Sequence, residues 1–521
     1  MGLTTIDIAI FAAYILAVLL LGIYAATSVR ATKRDYFLAG DRLPWWMVGG
    51  SIVASNISSH HFVGVMGVAY SVGFAAMTIE WGAILLGFNA LLWIFLPYYL
   101  RNGFFTMPEF LERRYSSTAR TAFAGLTLLT YLFVEISAVL LLGALAVNKL
   151  FGFSIPWSIG ALAILIGLYT ITGGLRAVVW TEMLQLAVLL TGGIVLSVMA
   201  ILRVGGWRGV MADSHEWHLF LPASDKAFPW TMWLGGITSI SVFYCAANQF
   251  IVQRVLAAKD EWHARMGIVF TDYLKFVMPL IILVPGLVAR KLYPDLTRGD
   301  FAFPTLVRDL LPPGLVGLVL AGLIAAIMSH ISGALNSCTT IATIDFYLPF
   351  INRNASESQA VRFGKLTGVV LMVIGVAWAS LLISHTEKPM FLYLLDAYGY
   401  FAPGIATMFL LGVFWKRATN AGALAAGLLT IPLSIALQFA LPDVAGLARA
   451  SICFWVCMVV GAVVSLLTAP RPEAEIESLI WNRESLSLPK EQRAQMAGVR
   501  NPLLWWSIVT AAVLYMYVRY A

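Results

Sequence analysis

The sequence predicts an all-α protein that crosses a membrane many times. Of its 521 residues, 60% are hydrophobic and only 12% are charged, whereas a soluble domain carries about 25% charged residues. Apolar runs between polar breaks give fourteen candidate spans, and a helix needs about 20 apolar residues to cross a bilayer. We therefore expect a polytopic protein with 14 transmembrane helices. The spans lie at residues 5–27, 44–70, 77–100, 118–150, 156–172, 176–204, 230–256, 264–292, 313–346, 360–385, 390–414, 420–440, 447–468 and 502–520.

Residues 45–73 form a candidate span whose middle is polar. They contain no Asp, Glu, Lys or Arg, yet residues 54–61 read ASNISSHH. Unwound polar backbone at membrane depth is tolerated only where it is buried in protein or lines a cavity. Discontinuous helices of this kind build the midplane sites of secondary transporters. The alternative is a continuous helix whose Ser and Asn side chains bond to neighbouring helices.

The order of the spans predicts two repeats of five helices. Each set of five opens with a polar-interrupted helix, around Ser55 and Asn56 in the first and between Ser239 and Gln249 in the second. An odd number of spans per repeat makes the second repeat run inverted relative to the first, as in inverted-repeat transporter cores. The predicted organisation is a peripheral N-terminal helix and loop at 1–43, a first inverted repeat at 44–204, an extracellular loop at 205–229, a second inverted repeat at 230–418 and peripheral C-terminal helices at 419–521.

The net charge of +7 follows from basic loops and requires no nucleic-acid partner. Loops rich in Lys and Arg tend to stay in the cytoplasm. Their distribution favours a multi-pass protein of the plasma (inner) membrane with both termini outside, in the extracellular or periplasmic space. The basic segment 290–313 argues for the opposite orientation.

Ionisable side chains within the spans are candidates for function, since each costs about 2.5–3.5 kcal/mol to insert into a membrane. Glu80 and Lys275 could neutralise each other and together hydrogen-bond a polyol, although a structural salt bridge would give the same sequence. No nucleophile–base pair or phosphate-binding loop is recognisable, so an enzyme is not expected. The ionisable residues within spans are Glu80, Glu135, Glu182, Asp272, Lys275, His330, Asp345 and Asp396, with His60 and His61.

Seven ordered stretches carry a specific resemblance. They read ASNISSHHFVG at 54–64, EW at 80–81, TMPEF at 106–110, YTITGGLRAVVWTE at 169–182, QFIVQR at 249–254, DFY at 345–347 and FWKR at 414–417. With them the chain resembles the sodium:solute symporter family, in its sodium/glucose cotransporter branch, across essentially its whole length. The resemblance implies a LeuT-type inverted repeat (5+5 helices) with peripheral helices, which moves a sugar-like solute with sodium.

The resemblance also implies roles for individual residues. The family's sugar-contacting positions are matched by Asn56, His61, Glu80 and Lys275, and its aromatic gate by Tyr244. The sodium shell is matched by Ala54, Ile57, Ala326 and Ser329.

Three positions of the implied solute site depart from the family pattern. Cys245 stands where the family has a Trp, and Leu395 stands where it has a Gln. Both changes remove a sugar contact, so glucose and galactose are less favoured as substrates. Asp272, one turn before Lys275, is an added acid that either restores the lost polarity or pairs with the lysine.

The implied cation site also departs from the family pattern, which has two adjacent serines where this chain has Ser329 and His330. Sodium prefers oxygen ligands, and imidazole is a poor substitute. We expect His330 to face Glu182, where a protonated imidazolium could take the place of the ion and make the carrier proton-coupled or uncoupled. In the alternative, His330 rotates aside and bonds a backbone carbonyl while sodium uses the remaining oxygens.

The sequence therefore predicts a secondary active symporter that moves a small polar solute, sugar-like or polyol-like, together with sodium. Its partners are that solute and the lipid bilayer, and the oligomeric state is left open. A protein of another class, a solute sensor or a solute-gated channel, would show similar binding residues without accumulating the solute. Such a sensor is less favoured because the longest predicted cytoplasmic loop, at 469–501, is too short for a signalling domain.

Overall fold

The structure is a computed structural model that describes residues 4–27, 32–212, 217–382 and 390–521. Within these ranges the chain is helical almost throughout, and its β pairing amounts to two isolated bridges, between Leu43 and Ala258 and between Leu221 and Pro229. The all-α prediction is confirmed. The end of the predicted span 360–385, and parts of the predicted segments 1–43 and 205–229, lie outside the described residues.

The helices are numbered here in chain order. The first half of the chain contains α1 (Thr5–Thr27), α2 (Lys33–Leu38), α3 (Trp45–Asn56), α4 (60–72), α5 (77–101), α6 (Met107–Arg114), α7 (117–151), α8 (Ile155–Ile171), α9 (Gly173–Arg203) and α10 (Trp207–Val210). The second half contains α11 (Gly236–Ala247), α12 (Gln249–Leu256), α13 (Glu261–Leu292), α14 (Ala302–Leu310), α15 (Leu315–Ile351), α16 (Glu357–Leu382), α17 (Met390–Phe414), α18 (Asn420–Ala440), α19 (Gly446–Leu467), α20 (Glu473–Ile476) and α21 (Pro502–Arg519).

The helices confirm a multi-pass membrane protein. Over the described residues, eleven helical stretches are long and apolar enough to cross a bilayer, and α8 and α11 are shorter apolar helices. All the predicted spans overlap helices of the structure. The total of fourteen crossings and the inverted relation of the two sets of five stay predictions.

Both helices that the sequence predicts to be polar-interrupted are broken. Helix α3 ends where Ile57 takes up an extended conformation (φ −85°, ψ 119°), and α4 begins at His60. Asn248 separates α11 from α12 with nearly the same dihedral angles (φ −81°, ψ 119°). Its side chain accepts a hydrogen bond from the Phe250 amide at 3.0 Å and so caps α12. Short polar side chains can replace helical hydrogen bonds with local ones, which favours such breaks.

Two glycines bring α3 and α13 into near contact. A Cβ atom added at Gly49 would lie 2.4 Å from the carbonyl oxygen of Gly267, and one at Gly267 would lie 2.7 Å from the side chain of Val48. Small residues allow membrane helices to approach closely. This crossing brings the polar end of α3, with Asn56, next to the middle of α13, with Lys275.

The first helix is attached to α15, the helix that carries Ser329 and His330. The buried carboxylate of Asp7 accepts hydrogen bonds from the backbone amides of Gly314 and Gly317, both at 2.8 Å. These amides lie at the N-terminus of α15, where backbone donors have no partner within the helix. Asp7 therefore caps α15 from a neighbouring helix, in the orientation that the helix dipole favours.

We expect Asp7→Ala to lower the free energy of unfolding by about 1 kcal/mol or more, because two amides of α15 lose their acceptor. The thermal midpoint of the purified protein in detergent measures the loss. Asp295→Ala, at an exposed position, serves as the control and should leave the midpoint unchanged. Equal midpoints for the two variants would contradict the capping role of Asp7.

Candidate solute and cation sites

Lys275 is at the centre of a buried polar cluster. Its ammonium group donates to Asn56 Oδ1 and to Glu80 Oε2, both at 2.5 Å. Glu80 also accepts from His61 Nε2 at 3.1 Å. Each of these four residues is at least nine-tenths buried. The cluster joins α3 and α4 to α5 and α13, so three sequence-distant parts of the chain meet at the first helix break.

A cavity adjoins this cluster. Its volume is about 60 Å³, which holds about four water molecules since each needs roughly 10–15 Å³. Most of the predicted solute-binding residues line it, namely Asn56, His61, Glu80, Tyr244, Cys245, Lys275 and Leu395. Further lining residues include His60, Ser241, Phe391 and Tyr398. The structure thus brings these seven predicted residues together, and their roles in binding stay predictions.

Asp272 is the predicted solute-binding residue that does not line the cavity. It is fully buried on α13, and neither of its carboxyl oxygens has a hydrogen-bond partner within the described residues. The lysine one turn later bonds Glu80 and Asn56 instead. In this state Asp272 therefore neither pairs with Lys275 nor restores polarity to the cavity wall.

The predicted sodium shell gathers around the break after α3. The hydroxyl of Ser329 donates to the carbonyl oxygen of Ala54 at 2.6 Å and to that of Ala326 at 3.1 Å. Ile57, the fourth predicted residue, is the extended residue that ends α3. Carbonyl and hydroxyl oxygens are the ligands that hard cations prefer. These oxygen ligands therefore fit sodium, the ion that the sequence predicts as the cotransported substrate.

The predicted pairing of His330 with Glu182 is wrong. His330 Nε2 lies 2.8 Å from Glu135 Oε2, and its Nδ1 lies 2.7 Å from the carbonyl oxygen of Ser55, both within hydrogen-bond distance. The Tyr398 hydroxyl donates to the second oxygen of Glu135. Both ring nitrogens face acceptors, an arrangement that a doubly protonated imidazolium satisfies.

Arg254 is the reason that Glu182 is not available to His330. The guanidinium group lies 2.6 Å from Glu182 Oε1, and both side chains are fully buried. Arg254 also donates to the Ser51 hydroxyl at 2.8 Å, and Glu182 accepts from the hydroxyls of Ser51 and Ser55. This network connects α9 and α12 to the last turns of α3, just before the break.

Three residues of the site were not predicted in these roles. Glu135 is an acid within a span, which was a sufficient signal to include it as a candidate. Tyr398 and Arg254 gave a weaker signal, because a Tyr in an apolar helix is common and Arg254 stands near the end of a predicted span, where a basic residue usually reaches the membrane surface. Arg254 is instead completely buried.

Comparisons with known proteins agree with this architecture. The model of the sodium:solute symporter family matches residues 36–430. The chain is 35% identical to the sodium/glucose cotransporter of Vibrio parahaemolyticus, over 84% of this chain and 86% of that protein. It is 33% identical to the sodium/myo-inositol cotransporter of Homo sapiens, over 95% of this chain and 78% of that protein.

Solved structures show the same fold at lower identity. A Na+-coupled sialic acid symporter in a substrate-bound outward-open state superposes with a TM-score of 0.80 at 22% identity, covering 90% of this chain and 99% of that one. The nucleobase-cation-symport-1 family transporter Mhp1, in a closed conformation, superposes with a TM-score of 0.57 at 15% identity, covering 86% of this chain and 98% of that one. These likenesses support the LeuT-type architecture. The chain belongs to the sodium:solute symporter family and is a transporter rather than an enzyme.

Proposed function

We propose that this chain is a secondary active symporter that moves a neutral polyhydroxylated solute, a sugar or a cyclitol, together with sodium. The observation that carries the proposal is the cluster of Lys275, Asn56, Glu80 and His61 beside a buried cavity at the helix break. It presents an ammonium, an amide, a carboxylate and an imidazole. Hydroxyl groups both donate and accept hydrogen bonds, so a polyol can bond to each of them.

The charges near the cavity favour a neutral solute. Lys275 is balanced by Glu80, so the cluster offers no unpaired positive charge to an anion. An anionic solute would have to displace Glu80 from Lys275 at a large cost, because separating a buried ion pair leaves an uncompensated charge. The names of the two relatives, a glucose and a myo-inositol cotransporter, support the same class of solute.

Sodium is the proposed coupling ion. The oxygen atoms of Ala54, Ala326 and Ser329 support it, and so does membership of the family. One charge that enters at −100 mV contributes about 2.3 kcal/mol, which corresponds to roughly 50-fold accumulation. We further propose that the protein lies in the plasma (inner) membrane with both termini outside, and that 44–204 and 230–418 form its two inverted repeats.

A second candidate is a proton-coupled or uncoupled carrier of a related solute, and the His330–Glu135 pair favours it. The imidazole is hydrogen-bonded to the carbonyl of Ser55, directly beside the predicted sodium ligand Ala54. An imidazolium at this point would place a positive charge next to the cation site.

Purified protein in liposomes should exchange labelled for unlabelled myo-inositol or glucose and accumulate one of them in a sodium gradient. We expect Asn56→Ala, Glu80→Ala and Lys275→Ala each to abolish uptake, because each removes a cavity-lining polar group. Lys416→Ala and Glu473→Ala, which change an exposed ion pair, are matched controls and should transport normally. Near-normal uptake by any two of the three cavity variants would overturn the assignment. Binding without counterflow would instead indicate a sensor.

Restoring the family residues at two lining positions should shift the preference toward hexoses. Cys245→Trp adds an aromatic face and Leu395→Gln adds an amide. Each contact contributes on the order of 1 kcal/mol, so we expect the double variant to bind glucose about tenfold more tightly relative to myo-inositol. Competition titrations on the parent, the two single variants and the double variant measure the ratio. An unchanged ratio in the double variant would show that these positions do not select the solute.

His330→Ser should increase the sodium dependence of transport, because it removes the imidazole beside Ala54 and supplies a second hydroxyl ligand. The measurement is uptake against sodium concentration at two pH values, in parent and variant. Ser337→Ala, two turns further along α15, is the control. Steep, saturable and pH-independent sodium activation in the parent would exclude the proton-coupled or uncoupled candidate.

A further inference from the structure

Asp272 is a buried acid without a hydrogen-bond partner in the described part of the chain. It is fully buried, and neither carboxyl oxygen makes a hydrogen bond. Buried polar groups are almost always paired, because an unpaired one loses its hydration without compensation. An acid kept in this condition indicates a partner that reaches it in another state of the protein.

Lys275 is the cation that can reach this acid. It lies three residues further along α13, and positions three apart are neighbours on a helix surface. Helical side chains also lean toward the N-terminal end of their helix, so a lysine at this position can extend over the turn that contains Asp272.

The cavity gives the lysine a reason to move. Its volume of about 60 Å³ is well below the roughly 300–1,000 Å³ of ligand pockets, so side chains must move to admit a sugar or cyclitol ring. The Lys275 ammonium lies between Asn56 Oδ1 and Glu80 Oε2, 2.5 Å from each. It therefore occupies the two acceptors that the hydroxyl groups of a solute would use.

We propose that Lys275 exchanges acceptors during the transport cycle, from Glu80 and Asn56 to Asp272 when solute enters the cavity. The exchange moves the ammonium group from Glu80 to Asp272 while one proton passes the other way, from Asp272, which is neutral as a lone buried carboxyl group, to Glu80. The lysine therefore stays paired with a carboxylate, and the net charge of the site is unchanged. Glu80 keeps a donor in His61 at 3.1 Å. Asp272 is then a positioning residue that acts through Lys275, and its link to solute entry rests on the function proposed above.

The exchange can be tested without any solute. Glu80→Gln weakens the first acceptor and should shift Lys275 to Asp272. Asp272→Asn should therefore leave the thermal midpoint of the parent within about 1 °C, yet lower that of Glu80→Gln protein by about 2 °C or more. Thr271→Val, a neighbouring buried change on α13, is the control and should shift both backgrounds equally. An equal effect of Asp272→Asn in both backgrounds would overturn the proposal.

Titration with myo-inositol and with glucose, in sodium, tests the link to the solute. Asp272→Asn should weaken binding about tenfold and raise the KM for uptake while the maximal rate is retained, and Asp272→Glu should restore the affinity. Binding by Asp272→Asn equal to the parent would overturn the exchange on solute entry. The thermal midpoints can show coupling between Asp272 and Glu80 even if the parent binds neither solute. That result would refute the proposed function and leave the exchange of acceptors standing.

Discussion

The breaks in two helices impose the main constraint on the predicted solute and cation sites, because the backbone groups freed at each break must find new hydrogen-bond partners. Wherever a helix is interrupted away from water, the freed carbonyl and amide groups need new partners, since each unsatisfied group costs several kcal/mol in hydrocarbon. At the first break, Ser329 and His330 bond the carbonyls of Ala54 and Ser55. At the second, Asn248 caps the following helix. At the first break, the side chains that satisfy the broken backbone are therefore the ones beside the predicted cation site.

A continuous series of hydrogen bonds connects the backbone beside the predicted cation site to the cavity that the predicted solute-binding residues line. It runs from the carbonyl of Ser55 through His330 and Glu135 to the hydroxyl of Tyr398, a cavity-lining residue. Four helices take part, α3, α15, α7 and α17. A change in any one link alters the acceptors and donors available to the next, so the series is a contiguous physical network between the two regions.

The sequence was sufficient to predict the fold class and both helix breaks, and seven of its eight predicted solute-binding residues line one cavity. These features leave a local signature, a polar interruption in an apolar run or a match to a family stretch. The partners of His330 and Glu182 could not be predicted, because they depend on which side chains of distant helices the packing brings within hydrogen-bond distance. Arg254 pairs with Glu182, and His330 pairs with Glu135. The unpaired state of Asp272 likewise depends on where the Lys275 side chain points, which the spacing along α13 does not determine.

The glycine crossing of α3 and α13 has a geometric consequence for motion. Asn56 lies seven residues beyond Gly49 and Lys275 lies eight beyond Gly267, distances of about 10 Å and 12 Å along the two helices at 1.5 Å per residue. The two backbones approach closely at the crossing, with the side chains of Val48 and Phe270 beside it, so the crossing can serve as a pivot with two lever arms. A relative tilt of about 10° would move the ends of these arms by about 2 Å, enough to break the bond between Lys275 and Asn56. Small tilts at this pivot therefore change the distance between Lys275 and Asn56.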